Sequence, residues 1–310
     1  MIYFLTTRRA SYTIRVYLDR VAIGLRPLIV PLTYEAWLSR RDHPPGVYVL
    51  ADIERLSARQ RERAAVVADD VSARPGFRVV NHPLRSLRRR DLLDTLQSRG
   101  ENRFAVWRPG EPDRPLRYPV FVRRENDHTG PRTPLLRDRA QLSRALWRLR
   151  TRWKGWRPLL VTEFLDTADS DGLYRKYAAF RVGERIVPRS LFFSRRWMVK
   201  ACDLTHPKLL QEEQAYFFNN PHAPRLKAIF QLAGIDYGRI DYGLYGGAIQ
   251  TWEINTNPTL PTGLTASSGP RHEVLLRCRR QLEAAFQTLA GSADTVARPA
   301  GGADAAPLAA

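Results

Sequence analysis

Cysteine is scarce in this chain: there are two, Cys202 and Cys278. Two thiols cannot build the multi-bridge framework of a small secreted domain, so a reducing compartment is expected. Long apolar runs are missing too. No stretch of about 18 apolar residues occurs without charges, and no membrane-spanning helix is expected. Met1-Ile2-Tyr3-Phe4-Leu5-Thr6-Thr7-Arg8 puts a short apolar run before its arginine, the reverse of a secretory leader. These features lead to the expectation of a cytoplasmic protein. Lysine is the third shortage. Lys154, Lys176, Lys200, Lys208 and Lys227 are the only five; the remaining 45 of the 50 basic residues are arginine. Against 31 acidic residues the formal charge is +19. The skew points to codon usage more than to a designed basic patch. An excess of this size still attracts polyanions: nucleic acid, anionic lipid or a phosphorylated substrate.

Apolar material is plentiful. Hydrophobic residues make up 44% of 310, which excludes global disorder and suits about two domains or one large one. Strand-like runs at Ile2–Thr6, Arg26–Leu32, Gly46–Ala51 and Phe77–Asn81, with a helical stretch over 56–73, predict a small parallel sheet. A helix is predicted over 84–98. Strands follow at 103–107 and 118–123, separated by a Pro/Gly/Asp-rich turn. Leu142, Leu146, Leu149 and Trp153 step by one helical face and predict a helix over 137–153. Strands are predicted at 158–165, 174–182, 185–189 and 191–199, helices at 207–218 and 224–233, and a strand pair at 237–245 and 249–255. A last helix, over 271–289, carries Leu275, Cys278, Leu282, Phe286 and Leu289 on one stripe. Residues 291–310, rich in Ala, Gly, Pro, Asp and Ser, are expected to be a disordered tail.

The run from Tyr237 to Pro258 carries the most chemistry. Alternation puts Arg239, Asp241 and Gly243 on one face of its first strand, and Thr251, Glu253 and Asn255 on one face of its second. Ile240, Tyr242, Leu244, Trp252 and Ile254 form the apolar faces. A two-residue Gly246-Gly247 turn would place Asp241 opposite Trp252. A three-residue Gly246–Ala248 loop would place Asp241 opposite Glu253 and Arg239 opposite Asn255, and the polar pattern favours it. Two carboxylates and an amide oxygen on one patch are hard ligands suited to Mg²⁺. Arg239 beside them would hold a phosphate oxygen or an anionic transition state. The plainer alternative is a solvated hairpin face on which Asp241 pairs with Arg239.

Arg239-Ile240-Asp241 followed by Trp252-Glu253-Ile254-Asn255-Thr256-Asn257-Pro258 resembles the C-terminal metal signature of the ATP-grasp superfamily. The resemblance implies Asp241, Glu253 and Asn255 as ligands of one or two Mg²⁺ (or Mn²⁺) ions bridging the phosphates of ATP. Arg239 becomes the candidate catalytic residue. Upstream, Pro119-Val120-Phe121-Val122-Arg123 resembles the family strand ending in a phosphate-binding Lys, here Arg123, whose fork and reach differ. The Gly-rich flap that should follow is replaced by Arg124-Glu125-Asn126-Asp127-His128-Thr129-Gly130. Leu160–Leu165 resembles the strand into the interdomain hinge, implying backbone groups of Glu163, Phe164 and Leu165 at the adenine edge. Asp171, with Asp166 and Asp169 as alternatives, is implied at the ribose. Tyr174–Gly183 resembles a strand with a phosphate-facing cation, for which Lys176 is chosen over Arg175. Asn81-His82-Pro83 and the Arg88-Arg89-Arg90 helix resemble the junction into the lid, implying Arg90, or Arg89, at phosphate.

The fold expected from the resemblance is α/β then α+β: a small parallel-sheet N-terminal domain (1–80) followed by a two-subdomain ATP-grasp fold. The lid is placed at 81–165, the metal and ATP subdomain at 166–290 and the tail at 291–310. The activity implied is an ADP-forming ligase. It would phosphorylate a carboxylate on a small molecule or peptide and pass the acyl group to an amine or other nucleophile. A kinase on the same scaffold is one alternative. A non-catalytic polyanion binder, suggested by the Arg- and Trp-rich 143–157, is another. Specific nucleic-acid binding is not expected.

Overall fold

The computed structural model describes residues 1–111, 117–152, 158–200, 204, 206–262 and 270–295. Cys202, residues 153–157 and the 296–310 part of the expected tail lie outside the described residues.

The N-terminal part is a four-stranded parallel sheet in the order β2-β1-β3-β4: β1 Ile2–Thr6, β2 Ile29–Thr33, β3 Gly46–Leu50 and β4 Phe77–Val80. β3 is buried along its whole length, as expected of a strand covered on both faces. Helices α1 Tyr12–Arg20, α2 Tyr34–Leu38 and α3 Ala58–Ser72 accompany it. The first two are not evident in the sequence pattern. α3 begins at a capping box, with Ser57 and Gln60 each bonding the other's backbone.

Helix α4, Arg89–Ser98, starts five residues later than its pattern suggests, because 82–88 is irregular chain tying the two halves of the molecule together. Asn81 opens this link with φ 65°. Its side-chain oxygen accepts from the Asp236 and Tyr237 N–H groups, and its amide donates to the Tyr237 carbonyl at 2.7 Å. A three-stranded antiparallel sheet follows, in the order β5-β7-β6: β5 Val106–Trp107, β6 Val120–Arg124 and β7 Leu159–Glu163. Helix α5, Arg139–Arg152, packs Leu142 and Leu146 against it.

The last sheet is antiparallel, in the order β11-β10-β8-β9: β8 Tyr174–Val182, β9 Arg185–Ser194, β10 Tyr237–Tyr245 and β11 Ala248–Asn255. β9 absorbs most of the two strands expected at 185–189 and 191–199. A bulge joins them: Ala179 pairs with Pro188 and Ala178 with Ser190, so Arg189 is the extra residue. Helices α6 Pro207–Asn219, α7 Ala223–Leu232 and α8 Pro270–Thr295 complete the fold. α8 runs past the expected end at 289, into the segment expected to be a tail, and buries Val274, Cys278, Leu282, Phe286 and Leu289. One large apolar cluster joins the parallel sheet, the last sheet and α8. Among the described residues no helix is long and apolar enough to cross a membrane.

Candidate functional site

Two glycines and one bulge arrange the central hairpin. Gly246 and Gly247 take φ of 56° and 77°, the backbone a two-residue type I′ turn demands. Tyr245 therefore pairs with Ala248, and Tyr242 with Thr251. That corrects the expected three-residue loop. The expected facing of Asp241 with Glu253 and of Arg239 with Asn255 is nevertheless present. A bulge beside Asp241 inserts one residue, Trp252, and shifts the register by one. Two consequences follow. Gln250 replaces Thr251 on the face of Gly243, and Thr251 turns to the core side opposite Tyr242. Trp252, expected in the core, instead lines the cavity beside Glu253. Gly243 is glycine because a Cβ there would lie 2.7 Å from the Trp252 ring.

The carboxylates of Asp241 and Glu253 are almost fully buried. Lys176 meets Asp241 at 2.8 Å, and Arg239 grips it through Nε at 2.7 Å. Burial pushes the Asp241 pKa up, but Arg239 and Lys176 outweigh it and leave it below the usual carboxylate range. Burial likewise opposes ionisation of Glu253. Arg89, Arg123 and His128 overcome it, so Glu253 stays ionised far below its usual range. Arg89 and Arg123 both donate to its Oε2. Asn255 accepts from the Asn257 N–H at 2.8 Å and does not line the cavity.

The pair closes the polar end of a cavity of about 360 Å³ between the three-stranded sheet and the last sheet. Arg123, Lys176 and His128 contact them there, and Lys200 also lines the cavity. Much of the remaining wall is apolar and aromatic, with Phe104, Phe121, Phe164, Leu165, Trp197 and Trp252. Such a site, much of it apolar and bearing a few converging charges, suits an amphiphilic small molecule.

The expected residues distribute unevenly. Arg123, Glu163, Phe164, Leu165, Lys176, Asp241 and Glu253 all line the cavity. The Glu163 carboxylate is spent on structure: it accepts from the Ala105 and Arg117 N–H groups at 3.0 Å and from the Arg117 guanidinium. The Glu163 and Phe164 N–H groups bond the carbonyls of Ala105 and Pro119. The Leu165 N–H has no such partner among the described residues. Asp171 lies off the cavity wall, held to the Leu173 N–H and Arg175. Asp166 and Asp169 are off it as well, and Thr167 and Tyr174 line that stretch instead. Arg90 does not reach the site; it pairs with Asp94 at 2.7 Å and Glu111 at 3.0 Å. Arg89 points inward because it falls on the buried stripe of α4 with Leu92, Leu93 and Leu96. An arginine in phase with a helix's apolar residues is a signal the sequence already contains.

Arg89 also shapes the segment standing where a Gly-rich flap was expected. It donates to the carbonyls of Arg124 at 3.0 Å, Glu125 at 2.8 Å and Asp127 at 2.8 Å. The turn after β6 is thereby pinned over the site. His128 at its tip bridges Glu54 of the N-terminal part, 2.8 Å from Nε2, and Glu253, 3.4 Å from Nδ1. Lys200, Phe121, Trp197 and Trp252 are cavity residues the motif comparison did not single out. An unpaired apolar or basic residue in a strand or loop looks the same in sequence whether it faces a ligand or solvent.

Two ionised carboxylates in register fit a hard divalent cation. Among the described residues no three His, Cys, Asp or Glu side chains are placed to hold a metal ion together. A small cation here would therefore complete its shell with water and ligand oxygens, as Mg²⁺ prefers.

The fold is shared with solved ligases, the ATP-grasp ligase PsnB among them. The chain is similar to D-alanine–D-alanine ligase from Bacillus anthracis at 14% identity, over 94% of this chain and 99% of that one, with a TM-score of 0.51. It is similar to D-cycloserine synthetase DcsG at 16% identity, over 92% and 99%, with a TM-score of 0.50. The ATP-grasp ligase PsnB, complexed with a phosphomimetic variant of a minimal precursor, Mg and ADP, aligns at 11% identity over 90% and 97%, with a TM-score of 0.50. No family model and no curated sequence matches the chain. At these identities the likeness carries the fold alone.

Proposed function

We propose that the protein is a Mg²⁺- and ATP-dependent ligase that activates a substrate carboxylate for attack by an amine or another nucleophile. The observation that carries this reading is the in-register pair Asp241–Glu253, met by cationic side chains, in a cavity with a largely aromatic and apolar wall. The apolar walls, with Phe164, Leu165 and Trp252, would hold the adenine, and the unpaired Leu165 N–H would read its edge. Thr167 and Tyr174 replace Asp171 as the groups beside the ribose. Arg123, Lys176 and Lys200 would take the phosphates; Arg123 and Lys176 would exchange their present carboxylate partners for phosphate oxygens.

Asp241 and Glu253 would hold Mg²⁺, which would supply charge neutralisation on the phosphate chain; Asn255, off the cavity wall with its oxygen on the Asn257 N–H, is left out of the ligand set. Arg239, off the cavity wall and bound to Asp241 through two nitrogens, would act by holding that carboxylate in place. The substrate carboxylate oxygen attacks the terminal phosphorus and ADP leaves. The nucleophile then displaces phosphate from the acyl carbon. The side chains' task is to position the reactants and offset charge rather than to form bonds themselves.

The test is ADP and phosphate release with a panel of amino acids, peptides and sugar acids. Matched ADP and phosphate, with a new amide or thioester in the products, is the expected outcome. ADP release with a phosphorylated product and no free phosphate would instead indicate the kinase variant.

A further inference from the structure

Arg189 is the one residue that the bulge of β9 inserts. Ala178 pairs with Asp241 on one side and with Ser190 on the other, so Glu253, Asp241, Ala178 and the bulge lie in one row across the sheet. Arg189 sits beside Ser190 in that row, two strands from Asp241, on the order of 10 Å in backbone spacing. It is largely buried yet keeps some contact with solvent.

Its neighbours by charge are Cys278, whose thiol burial keeps neutral, and Arg239, Asp241, Arg271 and Glu213. The four ionised ones are already committed. Arg239 binds Asp241 through two nitrogens, and Arg271 binds Glu213 through two, at 3.0 and 3.1 Å. The Arg189 side chain has no ion pair or hydrogen bond with any described residue. Three guanidiniums thus share two carboxylates, and the surplus charge sits on Arg189. Burial without a partner holds its pKa below the ordinary arginine value. Arginine does not lose its proton at neutral pH. A buried cation without a counter-ion is costly to keep, and such a group needs an explanation.

We propose that Arg189 is the anchor for a carboxylate that the substrate keeps through the reaction, so that the ligase acts on an amino acid, a peptide or another substrate bearing a second carboxylate. This deepens the proposed function and rests on it. The planar fork of arginine matches a carboxylate through two parallel hydrogen bonds. The nucleotide's terminal phosphate is the other oxyanion available, and the geometry disfavours it. Arg189 is absent from the wall of the cavity, while Arg123, Lys176 and Lys200 are on it. The anion that Arg189 awaits lies beyond Asp241, away from the nucleotide end.

The experiment uses acetate as the probe on the full-length protein without nucleotide. Thermal stability is followed against acetate concentration at constant ionic strength in chloride, with acetamide as the uncharged control. The wild type should respond saturably to acetate and not to acetamide. Arg189→Gln should weaken acetate at least tenfold, leave the affinity for Mg²⁺ with a non-hydrolysable ATP analogue within twofold, and melt no lower than the wild type because an uncompensated charge is gone. Arg189→Lys, which keeps charge but loses the fork, should weaken acetate several-fold and decides the matter if the glutamine variant does not fold. An acetate response absent from the wild type, or unchanged in both variants, overturns the proposal. A tenfold loss of nucleotide analogue affinity in Arg189→Gln assigns the anion to the phosphate and overturns it too. Failure of the wild type to bind the analogue would sink the ATP reading by itself, since the acetate measurement contains no nucleotide.

Discussion

Arg89 holds the site together more than any other single side chain. It is 6% exposed, pairs with Glu253, and caps three carbonyls of the turn after β6. Burial pulls its pKa down to about 10, the nearby Arg123 pulls the same way, and Glu253 resists. Removing one partner of a buried pair leaves the other charge stranded, which costs about 3–5 kcal/mol. Arg89→Met should therefore lower unfolding stability by about that much, read by denaturant melts, and free the turn, read by hydrogen exchange at 125–129. His128 behaves differently because it titrates. Burial opposes its charge, Glu253 and Glu54 outweigh burial, and its pKa rises above the ordinary 6.5. Glu54, opposed by burial but held chiefly by His128, is lowered to about 2. A raised histidine pKa stabilises the fold fully below 6.5, and that contribution fades as pH climbs through the raised value. A lowered carboxylate contributes above about 4.5 and fades as pH falls toward 2. In metal-free protein the stability gap between wild type and His128→Ala should thus be widest between about pH 4.5 and 6.5 and shrink at alkaline pH. A gap that grows with pH would contradict the bridge.

Strand β11 shows how one inserted residue builds a site. The bulge moves Trp252 from the core side to the cavity, and Gly243 makes the room. Gly243→Ala places a methyl within 2.7 Å of that ring. It should weaken ATP-analogue binding more than tenfold with only a modest loss of stability, by calorimetry and melting respectively. Equal nucleotide affinity would remove Trp252 from the binding account. The hairpin also marks how far sequence reading goes. Alternation identified the polar faces and the Asp241–Glu253 facing, because burial patterns record which side a residue serves. It misassigned the turn, since a bulge and a three-residue loop shift register equally. Strand and helix positions along 174–255 follow from their apolar periodicity. α1 does not stand out: Tyr12, Thr13, Ile14, Val16 and Tyr17 are β-branched or aromatic, and Ser11 makes no side-chain cap. Arg89 and Arg90 differ by one position on α4, and only phase with Leu92 and Leu96 tells them apart. Arg189 looks like any exposed strand arginine until its bulge is known.

The molecule as a whole sets three sheets around a single charged junction. The turn after β3 supplies Glu54, the three-stranded sheet supplies Arg123 and the pinned turn, and the last sheet supplies the carboxylates and Lys176. Its +19 charge makes weak, salt-sensitive attraction to any polyanion inevitable. Such binding should collapse between low and physiological salt and ignore Asp241 and Glu253. Specific nucleotide binding has the opposite signature: it needs Mg²⁺, survives salt and depends on both carboxylates. The most direct measurement is calorimetric titration of a non-hydrolysable ATP analogue at physiological salt, with and without Mg²⁺, into wild type, Asp241→Asn and Glu253→Gln. The expected result is Mg²⁺-dependent binding by the wild type, weakened at least tenfold in both variants while their melting shows them folded. Binding that is indifferent to Mg²⁺ and equal in all three proteins would contradict the assignment.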